Sequence, residues 1–121
     1  MGASHFFEVV EEMGHRMDDH RLGRLEEYVL LGLVCLGENA YGVTIRREIA
    51  ERIGRDYSFG TIYTTLERLE RKGYVSSRVG NPTHERGGRA KRYFRIEAAG
   101  IEALNHSQQM VAAWGGVAHA R

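Results

Sequence analysis

The sequence has little cysteine and little proline, and it contains no long apolar run. Its 121 residues include one cysteine and one proline. A single cysteine cannot form an internal disulfide, so we expect a reduced, cytoplasmic setting. No segment is apolar over the roughly 18 residues that a membrane-spanning helix needs, and the N-terminus lacks the basic start and apolar run of a signal peptide. The length predicts one domain with a modest hydrophobic core.

Charge is nearly balanced over the whole chain, but it is unevenly distributed. The formal net charge is +1. Residues 1–54 have 6 Lys/Arg against 10 Asp/Glu, a net charge of −4, whereas residues 55–95 have 10 against 4, a net charge of +6. A local basic excess is typical of a protein that binds a polyanion, and a solvated basic face is the alternative that charge alone leaves open.

Apolar periodicity predicts helices joined by short turns. The segment LEEYVLLGLVCL (25–36) is nearly continuously apolar after its first turn, which predicts a central buried helix rather than an amphipathic surface helix. In Gly42–Ile53, an isoleucine stripe at Ile45, Ile49 and Ile53 predicts a second core helix. A further apolar helix is predicted over residues 4–20.

A third core helix is predicted to begin after Ser58, whose hydroxyl can cap it, and to end at Gly73. Its buried stripe is Ile62, Leu66 and Leu69. The polar residues are expected on the opposite face: Thr61, Thr64, Thr65, Arg68, Arg71 and Lys72.

The period then changes from helical to two. The segments YVSSRV (74–79) and KRYFRI (91–96) alternate apolar and polar residues, which predicts two strands. The intervening GNPTHERGGRA (80–90) is rich in glycine and longer than a tight turn needs. A final helix is predicted over residues 98–114, with Ile101, Leu104, Gln108 and Val111 on one face.

Three helices followed by a hairpin with a basic loop is the order of a winged helix. The predicted fold class is therefore mainly α, with a three-helix core and a two-stranded β-hairpin wing, flanked by N- and C-terminal helices. A helix whose outer face has hydroxyl groups and a cation suits the major groove of B-DNA, which is about 12 Å wide. Wing cations can then contact the phosphate backbone.

Three segments resemble the PadR-like transcriptional regulators: AYGVTIRREI (40–49), SFGTIYTTLERLERKGYVSSRVG (58–80) and ERGGRAKRYFRIEAAG (85–100). The short-chain subgroup, with one helix after the wing, is the closer match, over about residues 24–104. The resemblance implies a dimeric winged-helix protein, usually a repressor, that often responds to a small molecule or a stress signal. One departure is Ile96-Glu97-Ala98, where the family often has Leu-Thr before the last helix.

The candidate DNA-binding residues lie on the third helix and the wing. The resemblance maps six residues to the DNA-facing half: Tyr41, Ser58, Thr61, Tyr63, Thr64 and Arg68. Position and charge add Thr65, Arg86, Arg89, Lys91 and Arg92. Two alternatives stay open, because Tyr63 can be a core aromatic with its hydroxyl at the surface and Arg68 can pair with an acidic residue.

Both ends of the chain have apolar faces that the core does not need. We divide the chain into an N-terminal extension (1–21), a winged-helix domain (22–97) and a C-terminal helix with its tail (98–121). The predicted dimerisation residues are Phe6, Phe7, Val10, Met13, Met17, Ile101, Leu104, Val111 and Trp114. Trp114 could instead line a ligand pocket at the dimer interface.

The sequence contains no arrangement that indicates an enzyme. It has no phosphate-binding glycine loop before a helix and no nucleophile elbow. His15, Asp19 and His20 are close in sequence but lack a recognisable ligand set, so no metal or cofactor is predicted. The alternative to an operator-binding regulator is a dimerising adaptor that has lost DNA binding.

Overall fold

The computed structural model describes residues 21–80 and 90–115. In this part of the chain, four α-helices and one antiparallel hairpin follow one another: α1 (Arg24–Leu36), a short 3-10 helix (Gly37–Asn39), α2 (Gly42–Ile53), α3 (Phe59–Arg71), β1 (Val75–Val79), β2 (Arg92–Ile96) and α4 (Ala98–Ala113). The predicted winged-helix fold is confirmed. The predicted helix over residues 4–20 lies outside the described residues.

The ends of α2 and α3 follow from local chemistry. Gly54 and Gly73 have φ angles of +75° and +80°, a left-handed conformation that glycine adopts without steric cost. Before α3, the Ser58 hydroxyl accepts a hydrogen bond from the amide of Thr61 at 3.1 Å. The sequence therefore predicted this cap correctly.

The hairpin is anchored to the helical core at its base. Val75 pairs with Ile96, Ser77 with Phe94, and Val79 with Arg92. Val75 and Phe94 are buried, so the face they share is the inner one. The Phe94 amide also donates to the carbonyl of Ala40 at 2.9 Å, which joins the wing to the turn between α1 and α2.

The core is formed by all four helices and the base of the wing. Leu30, Ile45 and Leu66 are fully buried. The complete apolar cluster is Val29, Leu30, Leu33, Ala40, Ile45, Ile49, Ile62, Leu66, Leu69, Tyr74, Val75, Phe94, Ala103 and Leu104. No helix within residues 21–80 and 90–115 has the length and apolar character needed to cross a membrane.

Helix α1 is not buried on all sides, and this corrects the sequence-based expectation. Leu31, Val34 and Cys35 are exposed although the segment is almost continuously apolar. Within residues 21–80 and 90–115, the other helices cover only one side of α1, and these apolar side chains lie on the other side. Ile53 is also exposed, because the last turn of α2 extends past the core.

Helix α4 packs through a face different from the predicted one. Its buried residues are Gly100, Ala103 and Leu104. Leu104 was predicted to contact a second subunit, which is wrong, because it is only 6% exposed within its own chain. The small residues at 100 and 103 allow close approach to the core, so Leu104 turns inward with them.

Candidate nucleic-acid interface

The outer face of α3 presents most of the predicted polar residues to solvent. Thr61, Tyr63, Thr64 and Arg68 are exposed, and so is Ser58 at the helix start. Ser58 and Thr61 also share a hydroxyl–hydroxyl hydrogen bond of 2.9 Å. The result is a continuous surface of hydroxyl groups that ends in a guanidinium.

Thr65 was predicted on this face, and that prediction is wrong. The residue is 2% exposed, and its hydroxyl donates to the carbonyl of Thr61 at 2.8 Å. Residues 62, 65, 66 and 69 follow the i, i+3, i+4, i+7 spacing of a single helical face. Thr65 therefore belongs to the buried stripe, and this spacing was available in the sequence.

The start of α3 is held in place by an arginine that sequence reasoning did not select. Arg46 on α2 donates through Nε to the carbonyl of Tyr57 at 2.6 Å. Its guanidinium carbon lies 4.8 Å from the centre of the Phe59 ring. Arg46 thus contacts both sides of the Ser58 cap and fixes the turn that leads into α3.

Tyr63 lies against the first residue of α2. A Cβ atom placed on Gly42 would be 2.3 Å from the Tyr63 hydroxyl oxygen, far inside van der Waals contact. Any residue larger than glycine at position 42 would push this side chain away from its place. Tyr63 is nevertheless partly exposed, so it combines packing on α2 with a place at the outer surface.

Aromatic rings and cations alternate at the base of the wing. The rings of Tyr41 and Tyr93 meet edge to face, with centroids 5.5 Å apart. Lys91 Nζ lies 4.5 Å from the centre of the Tyr41 ring, and the Arg78 guanidinium lies 4.8 Å from that of Tyr93. The rings hold both cations near the surface. Arg86 and Arg89, predicted in the wing loop, lie outside the described residues.

Arg92 already donates hydrogen bonds to two side chains within the chain. Its Nη2 donates to Glu70 Oε1 at 2.8 Å, and its Nε donates to the Ser77 hydroxyl at 3.1 Å. Glu70 belongs to α3 and Ser77 to β1. The guanidinium that sequence analysis assigned to DNA therefore joins the wing to the third helix.

A buried carboxylate lies beneath the C-terminal half of α3. Glu26 on α1 is 5% exposed, and its Oε2 is 3.0 Å from Lys72 Nζ and 3.9 Å from Arg68 Nη1. Its other oxygen accepts from the Gly23 amide at 2.8 Å. The sequence left open that Arg68 pairs with an acidic residue, and Glu26 is such a neighbour. The Arg68 side chain is nevertheless 46% exposed.

Among the residues that the structure describes, two ionisable groups have perturbed pKa values, and both lie outside the predicted interface. The Ser76 hydroxyl donates to the Glu97 carboxylate and lowers the pKa of Glu97, with a smaller contribution from Arg95. The hydrogen bond to Glu48 raises the pKa of Arg52. Among the described residues, no group of three or more His, Cys, Asp or Glu side chains could hold a metal ion. His15, Asp19 and His20 lie outside that part of the chain.

Comparison with known protein families gives one match, which covers most of the winged-helix domain. The model of the transcriptional regulator PadR-like family matches residues 30–106. This span includes α2, α3, both strands and the buried part of α4. No curated protein sequence matches the chain significantly.

Solved structures of this family have the same fold. A PadR family transcription regulator from hypervirulent Clostridium difficile is 23% identical, with a TM-score of 0.64 over 75% of this chain and 90% of that one. A PadR family transcriptional regulator from Eggerthella lenta is 26% identical, with a TM-score of 0.57 over 93% of both chains. The second alignment extends over nearly the full length of each protein.

Proposed function

This chain belongs to the PadR-like family of transcriptional regulators, and from that premise we propose that it is a cytoplasmic, sequence-specific DNA-binding repressor. It binds a pseudo-palindromic operator as a homodimer. The observation that carries the proposal is the exposed hydroxyl-and-arginine face of α3 beside the cation–aromatic cluster at the wing base. Release of the operator by a small molecule or a stress signal, which the family resemblance implies, is part of the proposal.

In the proposed complex, α3 lies in the major groove. Thr61 and Thr64 are then close to base edges, where a hydroxyl can accept or donate and a methyl group can contact thymine. Arg68 Nη1 is 3.9 Å from Glu26 Oε2, beyond hydrogen-bonding distance, and we assign its N–H donors to guanine or phosphate. Ser58 and Tyr63 flank this reading surface.

The wing supplies contacts that do not depend on base sequence. Lys91 lies over Tyr41 at its base, and we assign both to the phosphate backbone. Arg86 and Arg89 would extend this contact from the wing loop. Such contacts increase affinity for all DNA and fix the register of α3 on the duplex.

Exposed apolar side chains support the homodimer. Leu31 and Val34 on α1 are exposed, as are Ile101, Val111 and Trp114 on α4, with Trp114 84% exposed. Soluble monomers rarely expose a contiguous apolar surface beyond a few hundred Å². We propose that a two-fold axis covers these side chains, with residues 1–21 contributing Phe6, Phe7, Val10, Met13 and Met17. The two α3 helices would then be roughly 34 Å apart, one turn of DNA.

The first experiment measures DNA binding and its salt dependence. A duplex selected from a random pool should shift in a gel, and log affinity should fall linearly with log salt. Replacing Arg89 and Lys91 with alanine should flatten that slope by about one to two units. Arg52→Ala is the control, because Arg52 pairs with Glu48 on α2. A purified dimer that retains no DNA in any selection round would favour the adaptor function instead.

The second experiment tests base reading by Arg68. Arg68→Ala should relax sequence preference at one or two base pairs, since a good base contact contributes about 1–3 kcal/mol of discrimination. An equal loss of affinity on selected and random DNA would make Arg68 a phosphate contact.

Sedimentation equilibrium at micromolar concentration tests the dimer, and a species of 13.7 kDa would refute it.

A further inference from the structure

Three polar side chains from α3, β1 and β2 form a closed ring of hydrogen bonds. Glu70 Oε1 accepts from Arg92 at 2.8 Å, and Glu70 Oε2 accepts from the Ser77 hydroxyl at 2.8 Å. The Ser77 oxygen in turn accepts from Arg92 Nε at 3.1 Å. The single hydroxyl proton of Ser77 goes to the carboxylate, and its lone pair receives the guanidinium proton, so each bond in the ring joins a donor to an acceptor.

This ring lies at the outer limit of the buried part of the wing, because Ser77 pairs with Phe94, which is 3% exposed. At the base of the inner face, Val75 is buried beside its partner Ile96. Four residue pairs further out on the same face, Val79 is 71% exposed opposite Arg92. Apolar burial on the inner face therefore reaches Phe94 but does not extend to the Val79–Arg92 pair. From there outward the ring joins both strands to α3, and the last ladder bond runs from the Gly80 amide to the Lys91 carbonyl at 2.7 Å.

We propose that Glu70 is a positioning residue that fixes the angle of the wing relative to the DNA-reading helix. Arg92 serves this intramolecular contact and is not a phosphate contact. The inference rests on the proposed DNA-binding function. A carboxylate on a DNA-binding helix repels phosphate, so Glu70 by itself would weaken binding. Its charge is compensated by Arg92, and what remains is a fixed geometry for β2 and for Lys91 next to it.

The competing explanation gives the opposite sign. If Arg92 contacts phosphate, Glu70 merely competes with DNA for the guanidinium, and Glu70→Ala should raise DNA affinity. If Glu70 positions the wing, Glu70→Ala should lower it. Glu67→Ala is the matched control, because it removes the same charge from an exposed site three residues earlier on α3.

The first test is therefore a double-mutant cycle on the selected duplex. We expect Glu70→Ala to bind about 3- to 10-fold more weakly than Glu67→Ala, the range for a partly exposed charged hydrogen bond. Arg92→Ala should have no further effect when Glu70 is already alanine. Two results would overturn the proposal: tighter DNA binding by Glu70→Ala than by wild type, or a loss of affinity from Arg92→Ala in the Glu70→Ala background as large as its loss in wild type.

The second test needs no DNA and separates this inference from the proposed function. In Glu70→Ala, hydrogen exchange of the Gly80 amide should become about 3- to 10-fold faster, while the Leu30 amide in α1 keeps its protection. Unchanged exchange at Gly80, or equal acceleration at both sites, would refute a positioning role. If the wild-type protein bound no DNA, the proposed function would fail, and the exchange at Gly80 would still decide whether Glu70 holds the wing.

Discussion

Replacing Gly100 with alanine tests how closely α4 approaches the rest of the domain. A Cβ atom at this position would lie 2.4 Å from the carbonyl oxygen of Tyr74 and 2.9 Å from Ile96 Cγ1. The same carbonyl accepts the amide of Glu97 at 2.8 Å, which is the residue just before the helix. Since the obstacle is a backbone atom fixed by a hydrogen bond, α4 itself would have to move.

Two effects of opposite sign set the size of the change. Alanine is favoured over glycine in a helix interior by about 0.8–1.0 kcal/mol, and by less in the first turn. Overpacking a close contact costs about 1–3 kcal/mol. We therefore expect Gly100→Ala to lower the free energy of unfolding by about 1–2 kcal/mol.

Gly32 provides the matched control. It is buried in the middle of α1, but a Cβ atom there would meet nothing within 4 Å. Gly32→Ala should therefore stabilise the protein by about 1 kcal/mol. Thermal unfolding followed by circular dichroism should show opposite changes in Tm of at least about 4 °C. A Gly100→Ala variant as stable as Gly32→Ala would refute the close approach of α4.

Three further substitutions test other parts of the structure. The pKa of Glu97 is lower in the folded protein, so the charged carboxylate stabilises the fold above its ordinary pKa of about 4.3, and this contribution is lost as pH falls through the lower folded pKa. The stability difference between wild type and Glu97→Gln should therefore shrink in thermal melts below pH ~4. Leu104→Asp should abolish cooperative unfolding of the isolated chain in denaturant, because it buries an unpaired charge, whereas Val111→Asp should change only the sedimentation behaviour. Gly42→Ala should displace Tyr63 and reduce DNA affinity in a gel-shift titration, with a stability change below about 1 kcal/mol; unaltered binding would remove Tyr63 from the proposed interface.

Periodicity and turn residues were sufficient to predict the order of elements. Ser58 and Gly73 marked the two ends of the third core helix through local chemistry, and the alternation in residues 74–79 and 91–96 gave both strands. Local signals of this kind depend only on neighbouring residues, so they can be read from one sequence. They do not say which side of an apolar helix is covered. For that reason the exposure of Val34 and Ile53 was not predicted.

The candidate site was predictable only where a residue acts through its own position on a helix. Thr61, Thr64 and Arg68 face outward as periodicity indicated, and their contacts with DNA stay predictions. The roles of Arg46 and Glu70 depend on partners 11 and 22 residues away. Such pairings follow from the tertiary arrangement, because the sequence alone does not show which charges the fold brings together.

The central position of α1 has a consequence for synthesis of the protein. Leu30 and Leu33 emerge first, yet the core that covers them includes Ala103 and Leu104, and Glu27 accepts a hydrogen bond from Ser107. At roughly 5–20 residues per second, translation needs about 4–14 seconds to proceed from Leu33 to Ala103. During that interval the apolar segment VLLGLV has no complete partner surface. A nascent chain arrested before residue 103 should therefore be a substrate for chaperones that bind exposed apolar segments. A chain that extends past residue 107 and has left the ribosome should no longer bind them.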